Sequence, residues 1–131
     1  ANRSIEEVDI TAYTSFSVAE ETEKAKKAVL PPVAFIVASV NDKILERHGI
    51  SSEKAKEIQK HLDGGNYGEA FASVTDNMVD AFALYGNPEE CVRKIKELEE
   101  SGVTQLVAGS PIGPDKEEAI RMISEEIIPS F

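Results

Sequence analysis

The chain is 131 residues long with 41% hydrophobic residues, the size and composition of one globular domain. It carries 24 Asp and Glu against 14 Lys and Arg, a net charge of −10 that argues against nucleic acid and anionic membrane surfaces as partners. No apolar run reaches the ~20 residues of a membrane span, and the lone cysteine, Cys91, has no partner for an internal disulfide. These features, with no secretory leader pattern at the start, predict a cytoplasmic protein.

Residues Val8 to Val18, VDITAYTSFSV, are β-branched and aromatic and predict a first strand. Ser17 and Glu20 have the spacing of a capping box, so a helix is expected to start near Val18 and to stop near Leu30. Pro31-Pro32 then reads as the start of a second helix through VAFIVASV to Val40, apolar nearly all round and therefore expected to be buried. Residues 41–82 show only short helical patterns, with Ser51 as a cap and Gly64-Gly65-Asn66 as a turn, and read as a helical insertion over one end of a barrel.

Ala83-Leu84-Tyr85 predicts a short strand feeding a helix that has Asn87 as N-cap, Pro88 at N1, Glu90 at N3 and Gly102 as its stop. Val103 to Ala108 predicts a third strand. After it come the loop Gly109-Ser110-Pro111-Ile112-Gly113-Pro114, an Asp115 cap and a final helix to about Ile128.

Alternating strands and helices imply a parallel sheet, and a complete (β/α)8 barrel needs ~250 residues and eight such units. The expected fold is therefore α/β, a C-terminal segment of a (β/α)8 TIM barrel of about three βα units, with residues 1–131 forming part of one barrel domain. The opening Ala1-Asn2-Arg3, already close to a strand pattern, reads as an entry from upstream sequence, the N-terminal barrel strands being absent.

Barrel sites lie at the carboxyl ends of strands. There, two glycines and two prolines in six residues make Gly109, Ser110, Pro111, Ile112 and Gly113 the candidate ligand contacts, with an ordinary βα turn as the plain alternative. His48 and His61 lack metal-ligand spacing, Cys91 falls on an apolar helix face, and the charge runs read as solvated helix faces. No metal site and no catalytic group are assigned.

The stretches RSIEEVDITAYTSFSV (3–18), VAFIVAS (33–39), LERHGI (45–50), GNPEECVRKIKELEESGVTQLVAGSPIGPDKE (86–117) and the terminal EIIPSF resemble the C-terminal part of the 5,10-methylenetetrahydromethanopterin reductases. These are deazaflavin enzymes of the bacterial-luciferase-like superfamily, in which GNPEE matches a widely shared G-T-P-E-E stretch while FIVAS, ERHGI and GSPIGP are narrower. Asn87 stands where Thr is commoner and still caps a helix.

The resemblance implies an F420-dependent oxidoreductase that reduces 5,10-methylenetetrahydromethanopterin to the methyl form by hydride transfer in archaeal one-carbon metabolism and methanogenesis. Its implied cofactor is coenzyme F420 (8-hydroxy-5-deazaflavin), its partners the pterin and further copies of itself. Gly109 to Gly113, and less directly the ends SFSV and LYG, are the implied site contributors. The 131 residues alone are expected to be inactive. A flavin monooxygenase or another F420-dependent dehydrogenase of the superfamily, or a non-catalytic α/β interaction domain, are the competing expectations.

Overall fold

The computed structural model describes Asn2 and residues 4–131; Arg3, where the first matching stretch begins, lies outside the described residues. Three parallel strands form the sheet: β1 (Thr11–Val18), β2 (Ala83–Gly86) and β3 (Gln105–Ile112). The helices are α1 (Thr22–Ser39), α2 (Asp42–Arg47), α3 (Ser52–Asp63), α4 (Tyr67–Ala72), α5 (Asp76–Phe82), α6 (Pro88–Glu100) and α7 (Lys116–Met122). A π turn over Ile123–Ile127 and a 3-10 turn over Ile128–Ser130 continue α7 to the terminus.

The strand order is β2-β1-β3. Consecutive barrel strands neighbour one another in chain order, whereas here β1 is central and the chain returns past it to place β3 on its other side. β2 covers only the carboxyl half of β1, pairing Ser15–Val18 with Ala83–Gly86. β3 runs alongside nearly all of it, from Thr11 opposite Gln105 to Ser17 opposite Ile112.

Two apolar clusters flank this sheet. One joins Ala25, Val29, Val33, Ala34 and Val37 of α1 to Leu45, Ile58, Ala70, Met78 and Val79 of α2–α5. The other joins Phe16, Val18 and Leu84 of the strands to Cys91 of α6 and to Ala119, Met122 and Ile127 of the last helix. The short helices of residues 41–82 thus pack on α1, whose ridge of buried residues repeats every fourth position.

Three sequence expectations are corrected. β1 starts at Thr11 and not Val8, because Ser4–Glu7 closes a capped 3-10 turn first. Ser17 caps nothing: it is fully buried inside β1, where it pairs with Tyr85 of β2 and Ile112 of β3, and α1 begins at Thr22 without a side-chain cap.

The third correction concerns Pro31 and Pro32, which lie inside α1 instead of separating two helices. An interior proline costs ~3 kcal/mol or more, but full burial of Val29, Val33 and Val37 contributes about 1.5–3 kcal/mol each. Tertiary packing therefore overrides the local break. Nor is this half of α1 apolar all round in use: Phe35 is 52% exposed while Val33, Ala34 and Val37 are sealed.

Among the described residues no helix is long and apolar enough to cross a membrane.

Candidate functional site

The carboxyl ends of β1 and β3 lie side by side, and the chain leaves them in different directions, β1 toward α1 and β3 toward α7. In parallel α/β sheets ligands settle outside the carboxyl ends of strands, at the place where strand order reverses. Here that place holds a pocket of about 500 Å³, bordered by Lys24, Lys27 and Ala28 of α1 and by Pro111, Gly113 and Pro114. A larger apolar groove, about 780 Å³, lies along Val103–Ala108, toward the amino end of β3, and is walled by Ile95, Leu98, Ile123 and Phe131. Glu99, Thr104 and Gln105 line it as well.

The expected loop from Gly109 to Gly113 is, in the structure, mostly strand. Gly109, Ser110, Pro111 and Ile112 belong to β3, and only Gly113 and Pro114 lie beyond it. One residue of β3 is extra between the pairs Ser15–Gly109 and Ser17–Ile112, a bulge that tolerates Pro111, whose missing N–H no ladder bond requires. The Ser110–Pro111 peptide is cis. Ile112 sits at φ 65°, a left-handed conformation that a β-branched side chain rarely adopts and that collects at binding and catalytic sites.

The two glycines serve the fold. A Cβ on Gly109 would strike the Thr14 carbonyl oxygen and come within 2.9 Å of Cζ of the Tyr13 ring, so that ring occupies the room the glycine leaves. A Cβ on Gly113 would come within 2.6 Å of the Val18 carbonyl oxygen and 2.7 Å of the Ala119 methyl. The expected reason for these glycines, backbone left open to a ligand, is replaced by close packing within the chain. What faces the pocket is Pro111, Gly113 backbone and Pro114.

The neighbouring turn after β2 is closed. Asn87 Oδ1 accepts from Glu90 N at 2.9 Å, and Glu90 Oε2 accepts from Asn87 N at 3.0 Å, the reciprocal cap expected from the sequence. The same Glu90 oxygen also accepts from Thr22 Oγ1 at 2.6 Å, tying the start of α1 to the start of α6. The Thr22 hydroxyl and the Asn87 amide hold the Glu90 carboxyl below the usual carboxylate range. Tyr85 is locked likewise. Its hydroxyl donates to Asp80 Oδ1 at 2.6 Å, Lys94 Nζ donates to its carbonyl at 2.7 Å, and burial first, then Asp80, keeps the phenol neutral far into the alkaline range.

Cys91 is sealed under α6, where burial pushes its thiol up to about 12, the behaviour of a packing residue. Ser17 presents the opposite case, a fully buried hydroxyl with no hydrogen-bond partner among the described residues. Lys24 and Lys27 escaped the sequence reading because they look like any solvated helix face. Only their position just past the carboxyl end of β1 marks them.

The sequence profile of the luciferase-like monooxygenases matches residues 1–105. The chain belongs to that family. A solved coenzyme F420-dependent tetrahydromethanopterin reductase from Methanopyrus kandleri superposes on 98% of the chain with a TM-score of 0.96 and 48% identity, so the fold is that of a segment of a luciferase-like barrel enzyme. The superposition uses 37% of that solved chain.

Among curated relatives, the 5,10-methylenetetrahydromethanopterin reductases of Methanopyrus kandleri and Methanolobus tindarius are both 48% identical, over 100% and 98% of this chain. The reductase of Archaeoglobus fulgidus is 44% identical over 100% of this chain. The chain spans 38–41% of the length of these relatives, matching their C-terminal part.

Proposed function

We propose that this chain is the C-terminal part of an F420-dependent 5,10-methylenetetrahydromethanopterin reductase, in which residues 1–131 complete one barrel domain and residues of about 41–82 form its helical insertion. The observation that carries the reading is the end-to-end similarity, at 44–48% identity, to reductases of that name. The pocket at the strand ends supports it, since this is the face on which barrel enzymes bind their ligands.

Coenzyme F420 supplies a hydride donor when bound. About 500 Å³ bordered by Pro111, Gly113, Pro114, Lys24, Lys27 and Ala28 suits part of so long a molecule, and its ring system needs walls from elsewhere in the protein. Gly109, Ser110, Pro111, Ile112 and Gly113 remain the proposed contributors, with Pro111 and Gly113 the ones that border the pocket. The chain's own task in the reaction is to hold this wall rigid, so that bound ligand is oriented without further ordering cost.

The same reading places the protein in the archaeal cytoplasm, with methylenetetrahydromethanopterin as substrate. It also favours a homo-oligomer, to which the exposed Phe35 on α1 offers an apolar contact. The test is spectrophotometric: full-length protein mixed with reduced F420 and methylenetetrahydromethanopterin is expected to oxidise the coenzyme, and the 131-residue chain alone to be inactive. Turnover with reduced FMN and oxygen but not with F420 would replace this reading with a monooxygenase.

A further inference from the structure

The pocket at the strand ends is bordered by two lysines, with the carboxylates of Glu20, Glu21 and Glu118 close enough to act on Lys24. Against a net charge of −10, the only charged side chains among the described residues that border it are Lys24 and Lys27, one turn apart on the start of α1. Lys24 is engaged, with Nζ 2.7 Å from Glu21 Oε1. Lys27 has no ion pair among the described residues, whereas the adjacent Lys26 is held by Asp76 at 2.7 Å. An unpaired ammonium beside a proline-walled pocket is placed to take an anionic oxygen.

We propose that Lys27, with Lys24 beside it, receives a phosphate or carboxylate of the ligand whose body lies over the ends of β1 and β3. The proposal rests on the functional reading above and adds to it the part of the ligand that this segment recognises. Lys27 needs no rearrangement to do so. Its side chain is exposed at the pocket rim, and Pro111 and Pro114 opposite are too restricted to fold into the space. The anionic group has two possible sources, the phosphate-bearing tail of the coenzyme or that of the pterin, and these are separable by experiment.

The experiment uses the full-length protein and its Lys27→Glu and Lys27→Gln variants. Dissociation constants are measured for F420 and for the deazaflavin riboside that lacks the tail, and Michaelis constants for the pterin with and without its anionic tail. Reversing the charge is expected to weaken the tailed form of one ligand by roughly ten- to a hundredfold, the scale of a charge-assisted hydrogen bond. Lys27→Gln should weaken it less, and the tail-less form and the melting temperature should not change.

A loss confined to F420 assigns the site to the coenzyme, and a loss confined to the pterin assigns it to the substrate. Equal losses for tailed and tail-less forms, or no loss for either ligand, would overturn the proposal. Wild-type protein that binds neither ligand would instead overturn the functional reading itself, and the proposal with it.

Discussion

The turns after β2 and β3 are built from the same residue types and end in different states. Each has glycine, proline and a capping side chain: Gly86, Pro88 and Asn87 in one, Gly113, Pro114 and Asp115 in the other. After β2 the space is used up. Gly86 sits at φ 150°, where a Cβ would meet Glu90 Oε2 at 2.6 Å, and that carboxylate is already shared between Asn87 and Thr22. After β3, Gly113 is likewise filled on its inner side, yet its outer side with Pro111 and Pro114 borders a pocket. Glycine and proline content therefore marks both turns as tight and says nothing about which of them meets a ligand.

The largest effect that can break this comparison is expected from Gly113→Val. The branched side chain has to displace the Val18 carbonyl or Ala119, both fixed in the core, at a cost of about 3 kcal/mol. Denaturant unfolding checks it. A stable Gly113→Val protein with weakened ligand binding would mean that the glycine serves the ligand and not the packing.

Glu90→Ala should come next, losing about 2 kcal/mol, because it removes the reciprocal cap and the bond from Thr22 together. Ligand affinity of the full-length protein should stay unchanged, as befits a closed turn.

That carboxylate also sets a pH dependence. Its pKa is depressed in the folded chain, so its contribution is complete above the ordinary Glu value of about 4.3 and is lost as pH falls through the lower folded value. Melting curves below that ordinary value should fall more steeply for the wild type than for Glu90→Gln, and parallel curves would contradict the shared-carboxylate account.

These two turns also show how far the sequence could be read. Asn87, Pro88 and Glu90 were legible because their bonds span three residues, and the helix they start is where the pattern places it. The reading of Ser17 as a cap failed because the fate of that residue is decided by Tyr85 and Ile112, which pair with it from far along the chain. Pro31 failed as a break for the same reason, since the α3–α5 side chains that hold α1 together come later in the sequence.

Nor is the reason for the glycines at 109 and 113 legible in the sequence. Tyr13 and Ala119, which fill the space, are invisible to a local motif. Lys27 had no signal at all beyond being a lysine near a strand end.

The smallest effect is expected at Ser17, whose hydroxyl reads from the sequence as a helix cap. Ser17→Ala removes a buried oxygen without a partner among the described residues, so stability should stay level or rise by up to about 1 kcal/mol. A loss well beyond that in thermal unfolding would reveal a partner, such as a bound water, that Ser17 holds.

Hydrogen exchange on the full-length protein, with and without F420 and the pterin, compares the two turns most directly. Ligand should slow exchange around Gly109–Asp115 and at the start of α1, while Gly86–Glu90, already closed by its own bonds, should exchange at the same rate in both states. Ligand protection at Gly86–Glu90 with none at Gly109–Asp115 would contradict the assignment of the open turn as the binding wall.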